Sequence, residues 1–290
     1  MSGHPVPSPD GNCVAVCGPG ADESVVLFDV HKQGTSARLK GVSYFQAFLT
    51  EWTPDSKSVL IYREGSKGVP AGVYAAGPDG RNELIAKTAG PYPMLARYSP
   101  SGNHLAIVGD NCLEIADAKT GKTLLFKGFG DFVQLHEDGV ESRRWDWLDN
   151  DKFVFGRTSL SFRNPSLWIA NASNRTIKRW FRGEADFMGF SSRVNKLYLQ
   201  YDVGYEPIRF LRVDPETGKR EPVFKGEWLG TPAEVLGVSS DGRLVLWTAN
   251  ISGGDALKLV VVDVASGRES MVTTGDSSIG GVLLEKQSRR

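Results

Sequence analysis

The 290-residue sequence predicts an all-β protein, a six-bladed β-propeller built of four-stranded antiparallel blades. Two observations support this fold class. A turn signal recurs six times along the chain, at spacings of about 43 to 49 residues, and each repeat consists only of strand-like segments. Repeats of this length that contain only strands are typical of propeller blades.

A tight turn at the end of an apolar segment opens each repeat. The first turn residues in register are Ser8, Thr53, Ser99, Leu148, Ser191 and Ser239. Proline and aspartate near these positions favour a type I turn, and glycine accepts the positive φ that follows. The fourth and fifth turns, at 148–151 and 191–195, depart from the pattern, and we interpret them as drifted turns rather than ligand-adapted ones.

The segments after each turn predict the remaining strands. The second is a nearly continuous apolar run, as at 59–62 and 105–108, which indicates burial on both faces. The third usually ends at Asp or Asn and leads into a hairpin with glycine, such as Gly121 or Gly218. A more polar fourth strand with Lys or Arg closes the unit, which protects the sheet edge from aggregation.

The two ends of the chain predict how the ring is closed. Residues 4–7 would form the innermost strand of blade one, but their two prolines remove backbone donors. Residues 277–286 fit an innermost strand with no blade after it, so we expect them to supply or supplement that strand. The alternative is a truncated seventh blade. The predicted blades of this single domain are 4–41, 42–90, 91–130, 140–184, 185–227 and 232–275.

Composition excludes several partners. Thirty-four basic residues balance 34 acidic residues, which argues against a broad nucleic-acid surface. No apolar run is long enough to cross a bilayer, so no membrane insertion is expected. The sequence shows no secretory signal, which predicts a cytoplasmic protein, or a periplasmic or extracellular one if the chain is a mature or trimmed form.

Cysteine usage points to a reducing compartment. The chain has three cysteines, Cys13, Cys17 and Cys112. Cys13 and Cys17 lie four residues apart on one predicted strand, about 13 Å if extended, which is too far for a disulfide. We interpret them as small buried hydrophobic residues.

The repeated unit resembles the WD40-like repeat of TolB-type propellers, which also occurs in the propeller domains of the prolyl oligopeptidase and dipeptidyl peptidase IV families. The features that carry the resemblance are the Ser-Pro-Asp-Gly turn at 8–11 and the third strands that end in Asp. It covers residues 4 to 286 and implies the fold more strongly than an activity. In those peptidases the chemistry belongs to a separate α/β-hydrolase domain with a Gly-x-Ser-x-Gly elbow, and this sequence contains no such motif.

A six-bladed, lactonase-like metal enzyme is the alternative that remains open. Such an enzyme needs several oxygen ligands that converge on one point of the channel. The acidic residues on the predicted inner strands are Glu51, Glu141, Asp146, Asp186 and Glu234. The acidic stretch 146–151 lacks the glycine and the distal glutamate of a calcium loop, so we interpret it as a turn that caps its own backbone. The four histidines, at 4, 31, 104 and 136, have no metal-ligand spacing and are interpreted as surface residues.

The leading hypothesis is a non-catalytic scaffold that binds a protein or peptide through one face and the mouth of the channel. The candidate binding residues are Arg143, Arg144, Tyr44, Gln46, Asp186 and Glu234. Arg143 or Arg144 would hold a partner's carboxylate by bidentate pairing; the alternative is a structural ion pair with Glu141 or Asp146. No metal or cofactor is expected. A third possibility is a gating module for a separately encoded peptidase. Loops at 128–139 and 201–207 are long for the fold and are further places for binding.

Overall fold

A computed structural model describes residues 6–17, 25–32, 35–39, 51–63, 65–88, 93–109, 112–128, 145–157, 166–182, 185–191, 193–201, 209–223, 233–238, 243–249, 257–263, 266 and 268–275. These residues form six four-stranded sheets, and in each sheet the strands lie side by side in chain order. All strand pairs given for five of the sheets are antiparallel, as the repeat predicts.

The first three sheets follow the first three predicted blades. The first contains β1 (Val6–Pro7), β2 (Cys13–Cys17), β3 (Val25–Asp29) and β4 (Thr35–Leu39). The second contains β5 (Glu51–Trp52), β6 (Val59–Arg63), β7 (Gly72–Ala76) and β8 (Asn82–Lys87). The third contains β9 (Pro93–Tyr98), β10 (His104–Gly109), β11 (Cys112–Asp117) and β12 (Thr123–Gly128).

The other three sheets follow the later repeats. The fourth contains β13 (Trp145–Trp147), β14 (Lys152–Arg157), β15 (Ser166–Asn171) and β16 (Thr176–Arg182). The fifth contains β17 (Ala185–Ser191), β18 (Lys196–Tyr201), β19 (Arg209–Val213) and β20 (Arg220–Pro222). The sixth contains β21 (Ala233–Val238), β22 (Arg243–Ala249), β23 (Leu257–Asp263) and β24 (Arg268–Gly275).

The chain divides into two compact units. One comprises Met1–Val140, Asp149–Phe153 and Asn171–Thr176, and the other Glu141–Leu148, Val154–Ala170 and Ile177–Arg290. In the first unit, buried residues of consecutive sheets form two shared cores, such as Leu27 with Ile61 and Leu60 with Leu105. In the second, Val154 and Phe181 pack with Leu197 and Leu199. The apolar second strands therefore meet a neighbouring sheet, which explains their nearly continuous hydrophobicity.

The repeated turns fold by one hydrogen-bond scheme. The hydroxyl of Ser8 accepts a hydrogen bond from the amide of Cys13 at 2.9 Å and donates to Asp10 Oδ1 at 2.6 Å. Thr53 and Ser99 accept in the same way from the residue five positions later. The hydrogen bond from Ser8 lowers the pKa of the Asp10 carboxyl. Because these turn hydroxyls are buried, the bonds satisfy groups that would otherwise be costly to desolvate.

The fifth turn also contains a residue with positive φ, one position later than in the regular turns. Gly11 and Gly102 adopt φ values of 73° and 74°, and in the fifth repeat Asn195 adopts 50°. Asparagine tolerates this region better than other residues with a Cβ. The interpretation of this segment as a drifted turn, rather than a ligand-adapted one, stays a prediction.

The first sheet includes a minimal innermost strand. Val6 and Pro7 pair with Ala15 and Val14, and the Val6 carbonyl accepts a hydrogen bond from Trp52 Nε1 at 2.9 Å. Residues 4 and 5 of the predicted strand lie outside the described residues, and its described part is this two-residue strand. Residues 277–286, predicted to complete it, lie outside the described residues, as do most of the two long loops.

Candidate functional site

Charged side chains occupy one repeated position of the innermost strands. Glu51 on β5 and Arg97 on β9 each stand two residues before the first turn residue of their repeat. Arg97 Nε lies 3.4 Å from Glu51 Oε1, and the two side chains are 26% (Glu51) and 31% (Arg97) exposed. Partial burial weakens solvent screening, so this pair interacts more strongly than a fully exposed one. Consecutive innermost strands therefore present opposite charges to each other here.

Tyr98 follows Arg97, and its surroundings make its phenol harder to ionise than that of an ordinary tyrosine. Burial, followed by the negative charges of Asp55, Glu83 and Glu51, raises the pKa of its phenol to about 12. At neutral pH the hydroxyl is therefore protonated and can take part in hydrogen bonds, but it does not act as a phenolate base.

Two of the acidic residues considered as metal ligands are engaged in other contacts. Glu51 pairs with Arg97, and Asp146 Oδ1 accepts the amide hydrogen of Trp147 at 2.8 Å. Across the ranges that the structure describes, no group of three or more His, Cys, Asp and Glu side chains is arranged to hold a metal ion. Glu141 lies outside those ranges.

The acidic stretch 146–151 is a hydrogen-bonded turn. Asp149 Oδ1 accepts from the amides of Asp151 and Lys152, both at 2.7 Å. The side-chain oxygen of Asn150 accepts from the amide of Ser101 at 2.8 Å, which joins this turn to that of the third sheet. The self-capping interpretation is correct for Asp146 and Asp149, whose oxygens accept from nearby backbone amides. It is wrong for Asn150 and Asp151, whose side-chain oxygens bind groups outside this turn.

One cluster contains the residue types of a serine hydrolase in the wrong order. Ser173 donates to Asp151 Oδ1 at 2.6 Å, and His104 Nε2 lies 3.3 Å from the same oxygen. A serine nucleophile needs the imidazole between the hydroxyl and the carboxylate, whereas here the carboxylate is central. The cluster is therefore a link between two sheets. The prediction of a surface histidine is correct for the exposed His31 and wrong for His104, whose side chain is only 18% exposed.

The predicted binding residues are only partly within the described chain. Tyr44, Gln46, Arg143 and Arg144 lie outside it, so their role stays a prediction. The backbones of the remaining two are placed. Asp186 lies on β17 and pairs with Gln200, and Glu234 lies on β21 and pairs with Trp247.

A bulge in each of these strands changes the register of the two acidic residues. The pairing shifts between Phe187 and Gly189 on β17, and between Val235 and Gly237 on β21. Gly189 and Gly237 stand two residues before the turn, at the position of Glu51 and Arg97. Across each bulge the glycine and the acidic residue pair with alternate residues of the next strand. By spacing alone, three residues separate each acidic residue from its glycine, which would put the two positions on opposite faces of the strand. Because of the bulge, the backbone register instead gives Asp186 the same face as Gly189, and Glu234 the same face as Gly237.

The sequence analysis missed Arg97, although a signal for it existed. In the second, third and fourth repeats the residue two before the turn is Glu51, Arg97 and Asp146, three charges of alternating sign. Such a pattern at one position of adjacent strands indicates cross-strand or cross-blade pairing. The bulges also had a signal, because glycine inside a strand pattern often marks one.

Comparison with solved structures shows a β-propeller fold. The propeller domain of the Trilobed protease from Pyrococcus furiosus superposes with a TM-score of 0.63 at 12% identity, over 95% of this chain and 83% of that one. A puromycin-hydrolyzing peptidase from Mycobacterium tuberculosis gives 0.60 at 17% identity, over 93% of this chain and 45% of that one. A structure from a study of two prolyl endopeptidases gives 0.63 at 15% identity, over 94% and 42%.

These structural similarities confirm that the chain has the β-propeller fold implied by its resemblance to TolB-type and prolyl oligopeptidase propellers. The chain spans less than half the length of the two peptidase chains. No protein-family model and no curated protein matches the sequence. A search of the described residues for a helix long and apolar enough to span a membrane found none.

Proposed function

We propose that this chain is a non-catalytic scaffold, a six-bladed propeller closed by its C-terminal strand in blade one. It binds a protein or peptide through one face and the mouth of the channel, using Arg143, Arg144, Tyr44, Gln46, Asp186 and Glu234. The half-buried free thiol of Cys13 favours a reducing compartment.

The observation that carries this proposal is the ion pair between Glu51 and Arg97 on neighbouring innermost strands. It supports the idea that the innermost strands carry charged side chains of opposite sign at equivalent positions of neighbouring repeats. Strand alternation predicts Arg144 on the same side as Asp146, which occupies the equivalent position in the fourth repeat. An arginine there would offer a planar pair of donors to a carboxylate of a partner.

The metal-dependent, lactonase-like enzyme is less well supported. It requires several acidic side chains that are free to converge on a cation. Glu51 is paired with an arginine and Asp146 with a backbone amide, and both contacts compete with metal coordination. A second candidate function is the gating of a separately encoded peptidase. It is favoured by the likeness to two peptidase structures, because this chain matches less than half of each peptidase chain.

The test replaces both Arg143 and Arg144 by Ala. The partner is first captured from source-cell extract with the folded chain as bait and identified by mass spectrometry. Its affinity for the purified variants is then measured by calorimetry. Loss of two charge-assisted contacts should weaken binding by about tenfold or more. The double variant Lys119→Ala/Lys122→Ala removes two exposed charges from a hairpin of the third sheet and should bind like the wild type.

Wild-type affinity in a folded Arg143→Ala/Arg144→Ala protein would contradict the assignment of these arginines. If no protein is retained and the chain hydrolyses lactones with added Ca²⁺ but not with EDTA, the enzyme alternative replaces the scaffold.

A further inference from the structure

Basic residues are concentrated in the part of the fourth repeat that contains β14, β15 and β16. Across residues 152–183 the sequence has seven Lys and Arg residues and no Asp or Glu, although the whole chain has 34 of each charge. The basic positions are Lys152, Arg157, Arg163, Arg175, Lys178, Arg179 and Arg182. Such a segment attracts negatively charged partners even when the protein as a whole is neutral.

Three of these residues fall on β16, the last strand of its sheet. In the sheet order β16 has a hydrogen-bonded neighbour only on the side of β15. Lys178 and Arg179 are exposed, and neither has an ion pair within the described part of the chain. By contrast, Lys196 and Arg212 in the next sheet are each paired with a carboxylate. The positive charge of this edge is thus uncompensated among the described residues.

Aromatic rings support this edge. Arg179 Cζ lies 6.0 Å from the centre of the Trp168 ring on β15. Trp180 Nε1 donates to the carbonyl of Pro215 at 3.0 Å, and Arg220 Cζ lies 4.3 Å from the centre of the buried Phe181 ring. The cation–π contact with Trp168 restricts the Arg179 guanidinium while leaving its donors available. Less side-chain entropy is then lost when a ligand binds.

We propose that β16 is a docking edge for an extended acidic segment of a partner protein, which adds to the sheet as a further strand. An edge strand presents a row of backbone donors and acceptors to such a segment. Acidic residues at alternate positions of the added strand would lie opposite Lys178 or Arg179, which is a favourable cross-strand arrangement. The seven residues of β16 are enough for a strand of ordinary length.

The exposed backbone of β16 and its positive charge together favour an extended acidic peptide over other partners. A second copy of the chain would bring its own β16 cations against these, and like charges across a strand pair are destabilising. A nucleic acid would satisfy the charge but has no peptide groups to pair with the strand. The site shares no residue with the proposed channel-mouth site, so either proposal can fail without the other.

The experiment measures binding of a fluorescent peptide of about twelve residues, with Glu and Val alternating, to the full chain by anisotropy at low salt. The wild type should bind, and Lys178→Glu/Arg179→Glu should weaken binding about tenfold or more, because attraction becomes repulsion. The matched control Lys119→Glu/Lys122→Glu makes the same charge change on a hairpin of the third sheet and should bind like the wild type. Circular dichroism establishes that each variant is folded.

Two further probes separate strand addition from simple attraction. The same peptide with N-methyl groups on alternate residues keeps its charge but lacks half of its backbone donors, so it should bind about tenfold more weakly or worse. A single-stranded oligo-dT of similar charge should also bind weakly. The alternating peptide should slow hydrogen exchange of the amides of residues 176–182.

No binding of the alternating peptide to the wild type would overturn the proposal. Equal binding of the N-methylated peptide or of oligo-dT would overturn it in favour of a general anion-attracting surface. Equal loss of affinity in the third-sheet control would do the same.

Discussion

At the scale of single residues, aspartates organise the hairpins of the repeats. Asp214 accepts hydrogen bonds from the amides of Thr217 at 2.8 Å and Glu216 at 3.0 Å, and Lys196 Nζ lies 3.0 Å from its other oxygen. These contacts, with the Thr217 amide first, lower the pKa of Asp214 below its usual value near 3.8. The folded state therefore favours the ionised carboxylate more than the unfolded state does.

This lowered pKa predicts an acid-dependent contribution of Asp214 to stability. For a carboxyl whose pKa is lowered by folding, the stabilisation is complete above the unfolded-state pKa and is lost as the pH falls through the folded-state pKa. Asp214→Asn should therefore lower the urea midpoint at about pH 7. Between about pH 6 and about pH 3 the variant should lose less stability than the wild type.

The control for Asp214 is Glu216→Gln, which removes the same charge from the same hairpin. If it flattens the acid dependence as much as Asp214→Asn does, the effect comes from net charge and not from the hydrogen bonds of the turn. An unchanged urea midpoint of Asp214→Asn at neutral pH would also contradict the prediction.

At the scale of elements, Gly121 both adopts a positive φ and allows a close approach to the neighbouring sheet, whereas Gly218 only adopts a positive φ. Gly121 and Gly218 occupy equivalent hairpins and adopt φ values of 66° and 70°. A Cβ on Gly121 would lie 2.5 Å from the carbonyl oxygen of Ile85 on β8, whereas a Cβ on Gly218 would have nothing within 4 Å. The first hairpin is therefore pressed against the neighbouring sheet, and the second only turns the chain.

This difference predicts unequal costs for the same substitution. Gly218→Ala should lower the free energy of unfolding by about 1 kcal/mol, because alanine in the left-handed region is strained. Gly121→Ala should cost about 1 to 3 kcal/mol more, because a backbone carbonyl must move. Urea denaturation of both variants measures the difference. Equal costs would show that the hairpin can shift away from β8 without loss.

Much of the element order could be predicted from the sequence, because the turn signal and the apolar second strands are local features that repeat. The turns at Ser8, Thr53 and Ser99 form where their hydroxyl residues and the proline after each predict them. The register of Asp186 and Glu234 could not be predicted, because a single inserted residue reverses the alternation of a strand. The pairing of Arg97 with Glu51 depends on a contact between strands 46 residues apart, which no single repeat reveals.

At the scale of the whole molecule, the sequence predicts that the C-terminal segment completes the first sheet. Within the described residues its innermost strand is Val6–Pro7, as short as β5 of the second sheet, whereas β9, β17 and β21 have six or seven residues. The described pairing of this strand with the five-residue β2 covers Ala15 and Val14. A strand formed by residues 277–286 would extend this short pairing. It would also tie the sixth repeat to the first.

Deleting residues 277–290 tests this closure. If the segment is a strand of the first sheet, the deletion removes its hydrogen bonds and packing. The melting temperature should then fall by about 5 °C or more, which corresponds to about 2 kcal/mol in a domain of this size.

A synthetic peptide of residues 277–286 added to the deleted chain should restore part of the loss, because it binds only the folded state. A peptide with the same composition in scrambled order is the control. A truncated seventh blade would have no such place in the first sheet, so its removal should leave the melting temperature unchanged and the peptide without effect. That result would replace ring closure with a longer propeller of which this chain is a part.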